Sequence, residues 1–93
     1  MGTFAVIYTY GTDTEAERDA IRPQHKDFLA GLHDTGRLRI SGPVDSGAGA
    51  LLVLEGESAA EVISVLDDDP FRKNDLIADR SVREWTIVFG GLR

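Results

Sequence analysis

The sequence contains no cysteine, which excludes a disulfide framework, a thiolate nucleophile and a thiolate metal site. It also lacks any apolar run long enough to span a bilayer, and Met1 to Tyr10 sets no basic region ahead of an apolar one. These features lead us to expect a cytoplasmic protein without a membrane association. Positive charge is scarce: 10 Lys and Arg stand against 16 Asp and Glu, a net charge of −6. Such a field repels nucleic-acid phosphates, and Arg37, Arg39, Arg80 and Arg83 are scattered among acids instead of forming a basic stripe. Metal-ligand patterns are missing as well. His25 and His33 lie on different flanks of one helical stretch without a cysteine between them, and Asp67-Asp68-Asp69 is no calcium-binding loop. Gly47-Ala48-Gly49 has no following helix of the kind that phosphate-binding and dinucleotide loops require. The expectation is a protein with no metal, no cofactor and no nucleic-acid partner.

What is present reads as one small domain over residues 1–93, with 42% apolar residues. A chain this short leaves much of its surface wet, so a partner subunit would help to complete its core. Phe4 to Tyr10 is rich in aromatic and β-branched residues and reads as a strand that is apolar on both faces. Thr12 to Leu32 is helical in pattern, with possible capping boxes at Thr12/Glu15 and Thr14/Glu17. Pro23 interrupts it, which predicts a short helix near 14–20 and a main helix starting at Pro23 and ending at Gly36. Arg37 to Ser41 alternates like a half-exposed strand that Gly42-Pro43 breaks, and Asp45 to Gly49 reads as a turn. Ala50 to Leu54 predicts a strand buried on both faces. Ser58 with Glu61 caps a second helix along the stripe Ala59, Val62, Ile63 and Leu66. A helical turn follows Asp69-Pro70-Phe71, and Val82 to Phe89 predicts a fourth strand. The order βαββαβ implies an α+β, ferredoxin-like fold: a four-stranded antiparallel sheet with its helices on one face. The second face has no helix left to cover it, which predicts a homodimer packed sheet against sheet.

His25 is the residue most suggestive of chemistry. At helical spacing it shares a stripe with Ile21, Phe28, Leu29 and Leu32, so it faces the core. An imidazole there is either a core histidine bonded to a backbone carbonyl or a general base beside a cavity. Asp69, ahead of Pro70, either caps the following helical turn or faces the cleft and meets His25. Arg22 either holds a substrate carboxylate or pairs with Asp19 at the surface. Ser41, Gly42 and Pro43 close the second strand, where a glycine permits close approach of a ligand to the backbone. Ser41 has no base beside it in sequence, and His33 reads as a surface residue.

Taken together, Arg22-Pro23-Gln24-His25, Gly36 before a strand ending in Ser41-Gly42-Pro43, Asp69-Pro70-Phe71 and Trp85 in the last strand give the chain a pattern that resembles the YciI-like, or YCII-related, family. That resemblance implies a dimeric α+β barrel and a pocket with a His-Asp pair, here His25 and Asp69. It also implies chemistry without metal or organic cofactor, as in relatives that resemble dehydrochlorinases of chlorinated aromatics. The short turn from Asp45 to Gly49 departs from many relatives, so a substrate does not transfer with the resemblance.

The leading expectation is an acid/base enzyme, catalysing elimination or isomerisation of a small polar or aromatic molecule. His25 and Asp69 would be catalytic; Arg22, Ser41, Gly42 and Pro43 would bind substrate. The alternative is a dimeric, non-catalytic small-molecule-binding or accessory domain with the same pocket.

Overall fold

The computed structural model describes residues 1–91, so the last two residues of the expected 1–93 domain lie outside the described residues. Strand β1 spans Gly2–Tyr10, helix α1 Glu15–Asp34 and strand β2 Leu38–Val44. A turn of 3-10 helix over Asp45–Gly47 leads into β3, Gly49–Gly56. Helices α2, Ala59–Leu66, and α3, Pro70–Lys73, precede β4, Ile77–Glu84. The strands form one antiparallel sheet in the order β2-β3-β1-β4. The expected ferredoxin-like α+β architecture is therefore the one observed.

One side of the sheet carries Phe4, Val6, Tyr8, Leu52 and Leu54, which pack with Val62 and Leu66 of α2 and Phe71 of α3 into a single core. Ile21, Phe28, Leu29 and Leu32 of α1 lean on the same cluster. Gly49 lets β3 come close to β1 at its start, because a Cβ there would lie 2.3 Å from the Tyr8 carbonyl oxygen. No helix among the described residues is long and apolar enough to cross a membrane.

Five sequence expectations need correction. The break at Pro23 does not occur: α1 runs unbroken from Glu15 to Asp34 with Pro23 inside it. Proline deprives the Asp19 carbonyl of its helical donor, but both residues are exposed, so water can serve that carbonyl. The buried stripe on both sides of Pro23 meets one surface, and packing overrides the local preference. Neither expected capping box starts α1. Thr14 is the N-cap but makes no side-chain cap bond; its hydroxyl donates to the Gly11 carbonyl at 2.7 Å and accepts from Arg18 Nε at 3.0 Å. The far end of α1 follows expectation, with Gly36 at φ +82° and a backbone bond from Arg37 N–H to the Leu32 carbonyl.

Gly42-Pro43 does not end β2, which continues to Val44. As an edge strand, β2 can carry a proline whose missing N–H faces no neighbour. The last strand is displaced: β4 is Ile77–Glu84, not Val82 to Phe89. Its partner β1 begins at Gly2, and Glu84 already lies opposite Phe4. One further backbone bond, Trp85 N–H to the Thr3 carbonyl, follows the last paired residue. Finally, β1 and β3 are covered only in part on the face away from the helices, where Val53 is buried. Ile7 and Leu51, which are cross-strand partners, stay exposed on the face away from the helices, Ile7 at 47%.

Candidate functional site

Strand β1 alternates so that Tyr8 faces the helices, α1 presents His25 inward, and the turn between α2 and α3 delivers Asp69. The three meet in the core. His25 Nδ1 lies 2.8 Å from Asp69 Oδ1, and the Tyr8 hydroxyl donates to Asp69 Oδ2 at 3.0 Å. The Phe71 backbone N–H donates to Oδ1 at 2.9 Å. Both readings of Asp69 thus hold at once: it caps α3 and it meets His25. Its side chain is fully buried, and these three donors compensate its charge.

A carboxylate only accepts, so His25 Nδ1 carries the proton in this bond. In the neutral ring the second nitrogen, Nε2, is then the basic one. The ring is fixed on its other side too. It lies flat on Phe71, with centroids 3.9 Å apart and planes 8° apart. Burial and, after it, the charge of Asp69 push the Tyr8 hydroxyl well above the ordinary phenol value. Tyr10 is raised for the same two reasons, burial first. Both hydroxyls therefore stay protonated, and Tyr8 remains a donor to the carboxylate.

His25 lines a cavity of about 960 Å³ between α1 and β2. Arg22, Ser41, Gly42 and Pro43, the other residues singled out in the sequence, all border it. Arg22 is engaged with Asp19 in an ion pair, the second of its two readings. Ser41 is exposed, and a Cβ at Gly42 would meet nothing within 4 Å, so in this structure the glycine is not required by crowding. Among the described residues no three of His, Asp and Glu gather closely enough to hold a metal ion.

Sequence reasoning missed four residues that build this site. Tyr8 and Tyr10 sit on the buried face of β1, where a phenol needs a partner; their alternation with Phe4 and Val6 was the available signal. Phe71 carries the His25 ring and meets Tyr10 edge-on at 5.6 Å. Arg18 is the fourth. It lies seven residues before His25, on the same stripe of α1, but the expected helix break at Pro23 separated the two.

Solved structures of known proteins share this architecture. The chain superposes with a TM-score of 0.79 on 5-chloro-2-hydroxyhydroquinone dehydrochlorinase from Burkholderia phenoliruptrix, solved in complex with 2,5-dihydroxybenzoquinone. The identity is 26% over 90% of this chain and 93% of that one. A NIPSNAP family protein from Agrobacterium tumefaciens is 19% identical, with a TM-score of 0.60 over 98% of this chain and 97% of that one. An antibiotic biosynthesis monooxygenase is 10% identical, with a TM-score of 0.61 over 95% and 99%. The last two likenesses show the fold alone. No curated protein matches the chain in sequence. The YCII-related domain matches residues 3–86, so the protein belongs to the YCII-related domain family.

Proposed function

We propose that the protein is a small-molecule enzyme that uses His25 as an acid/base and Asp69 to orient it, acting on a hydroxylated single-ring aromatic by elimination or isomerisation. The observation that carries this reading is the 2.8 Å contact between His25 Nδ1 and the buried Asp69 carboxylate, at the wall of an open cavity. The likeness to a dehydrochlorinase of a chlorinated hydroquinone supports the substrate class. Nε2 of His25 takes a proton from a ring hydroxyl and returns one to the ring carbon that bears the leaving group, an isomerisation. Chloride then departs with its bonding pair while a second hydroxyl proton is lost, so the net change is loss of HCl and formation of a quinone. The two electrons that oxidise the ring leave with chloride, and no external oxidant is consumed. Proton transfer by such a residue contributes about 10²–10⁴-fold.

The test is chloride release from 5-chloro-2-hydroxyhydroquinone and its positional isomers under anaerobic conditions. The wild type releases chloride, and His25→Gln lowers the rate by about 10²-fold or more. A His25→Gln variant as fast as wild type overturns the assignment. Binding of 2,5-dihydroxybenzoquinone without turnover of any isomer favours the non-catalytic binding module instead.

The same reading includes a homodimer formed through the open sheet face. Ile7, Ile40 and Leu51 are exposed there, and the chain beyond β4 exposes Trp85, Ile87, Val88 and Phe89, the last at 98%. An apolar surface of this kind marks an association site, and a second copy offers a self-complementary cover.

A further inference from the structure

The cavity beside His25 has a volume of about 960 Å³. A dry cavity of about 150 Å³ already accepts one bare benzene ring, and pockets for drug-sized ligands span about 300–1,000 Å³. A hydroxylated single ring at His25 thus leaves most of this space unfilled. Helix α1 borders the cavity from Glu15 to His33, a stretch of about 27 Å along the helix axis. His25 stands near its middle, so the cavity extends well past the ring on both sides.

The wall changes character at His25. Ahead of it α1 contributes Glu15, Arg18, Asp19 and Arg22, all charged. Beyond it stand Leu29 and Ala30, and β2 supplies Leu38. Lys26 and His33 also border that end, but both are exposed, so their polar heads stay in water. The two elements converge here. Only Thr35, Gly36 and Arg37 separate α1 from β2, and the Arg37 N–H returns to the Leu32 carbonyl. Leu38 is buried and Leu29 leans on the core, so on this side the cavity runs up against fixed apolar side chains. A polar group without a partner is unfavourable there, whereas each buried methylene is favourable. Leu29 and Ala30 lie four and five residues beyond His25, about 6–7.5 Å along the axis. A short alkyl chain on a ring held at His25 has that reach.

We propose that this end of the cavity is an apolar subsite, formed by Leu29, Ala30 and Leu38, that takes an alkyl substituent of the ring bound at His25. The ligand class is a hydroxylated aromatic ring carrying a short, uncharged alkyl arm. This inference rests on the proposed small-molecule site at His25 and adds what fills the cavity beyond the ring. It concerns binding and does not require His25 to act as a base.

The test is anaerobic calorimetric titration of the full chain with hydroquinone and with methyl-, ethyl- and propylhydroquinone. These probes are neutral at pH 7 and differ only in the arm. Each added carbon tightens wild-type binding about two- to fourfold, the upper figure being that of a fully buried methylene. Ala30 is exposed, so Ala30→Trp adds volume to the subsite without entering the core. In that variant the series flattens, and propylhydroquinone binds no more tightly than hydroquinone. A series that rises equally in wild type and in Ala30→Trp places the arm elsewhere and overturns the proposal. A series that is flat in the wild type also overturns it, whether solvent or a second copy of the chain covers this end, and leaves the ring site at His25 standing. Failure of the wild type to bind any of these probes overturns the site on which the inference rests. Should Ala30→Trp not fold, a wild-type crystal soaked with propylhydroquinone decides the question: propyl density beside Leu29, between α1 and β2, supports the proposal, and propyl density directed to solvent or toward Glu15 refutes it.

Discussion

Tyr8 donates its hydroxyl to Oδ2 of Asp69 at 3.0 Å, on the carboxylate oxygen that His25 does not use. Both side chains are almost completely excluded from water. The bond links the central strand to the turn that carries Asp69, and through it to the catalytic candidate. Replacing Tyr8 by Phe preserves the ring but leaves Oδ2 without a donor in a dry site. We expect a loss of about 1–3 kcal/mol. Urea unfolding checks this, and an unchanged midpoint would show that the bond contributes nothing.

Alkaline pH gives an independent reading of the same bond. The folded values of Tyr8 and Tyr10 lie above their unfolded value of about 10. Above about pH 10 the unfolded chain releases both phenolic protons while the folded chain retains them. Stability from these groups is therefore complete below about pH 10 and declines as pH rises beyond it. The chain has only two tyrosines, so the tyrosinate absorbance near 295 nm reports them alone. It should rise together with unfolding, as one transition, and a separate rise near pH 10 in the folded protein would contradict the account.

Asp69 caps α3 and touches His25; under the proposed function the second contact orients a catalytic ring, and two substitutions divide the two roles. Asp69→Asn keeps an acceptor for the Phe71 N–H but removes the charge that fixes the protonated nitrogen of His25. We expect turnover to fall about 10²–10⁴-fold while most of the fold's stability remains. Asp69→Ala also removes the N-cap, which costs about 0.5–2 kcal/mol more. Thermal melts of the two variants side by side measure the difference. Equal melting temperatures would mean that the cap contributes nothing to stability.

The open sheet face makes a prediction about assembly. Ile7→Glu and Leu51→Glu place charges opposite one another on β1 and β3, on the exposed face. Light scattering on a sizing column should give twice the chain mass for wild type and the single-chain mass for the double variant. A monomeric wild type at micromolar concentration would remove the dimer from the account.

The periodicities of the sequence carried the fold. Alternation in Phe4 to Tyr10 and the three-and-four spacing of Ile21, His25, Phe28 and Leu32 are direct consequences of strand and helix geometry. What local pattern does not contain is the partner. Val82 to Phe89 is rich in β-branched and aromatic residues, yet β4 pairs with β1 only from Ile77 to Glu84. Pro23 is a strong local stop signal that lost to packing along the whole of α1. That misreading also split the stripe on which Arg18 and His25 lie, and so concealed Arg18. His25 and Asp69 were legible as candidates, since an inward-facing imidazole and an aspartate before proline are each unusual. Their contact depends on a separation of 44 residues, which no local spacing encodes.

The central claim is that Asp69 holds His25 with Nδ1 protonated and Nε2 basic and facing the cavity. Nitrogen-15 correlation spectra of the His25 ring test this most directly, recorded for the neutral ring with and without saturating 2,5-dihydroxybenzoquinone. The account predicts a protonated Nδ1, an unprotonated Nε2, and an Nε2 resonance that shifts when the probe binds. A protonated Nε2 with Nδ1 as the acceptor, or an Nε2 signal indifferent to bound probe, would contradict it.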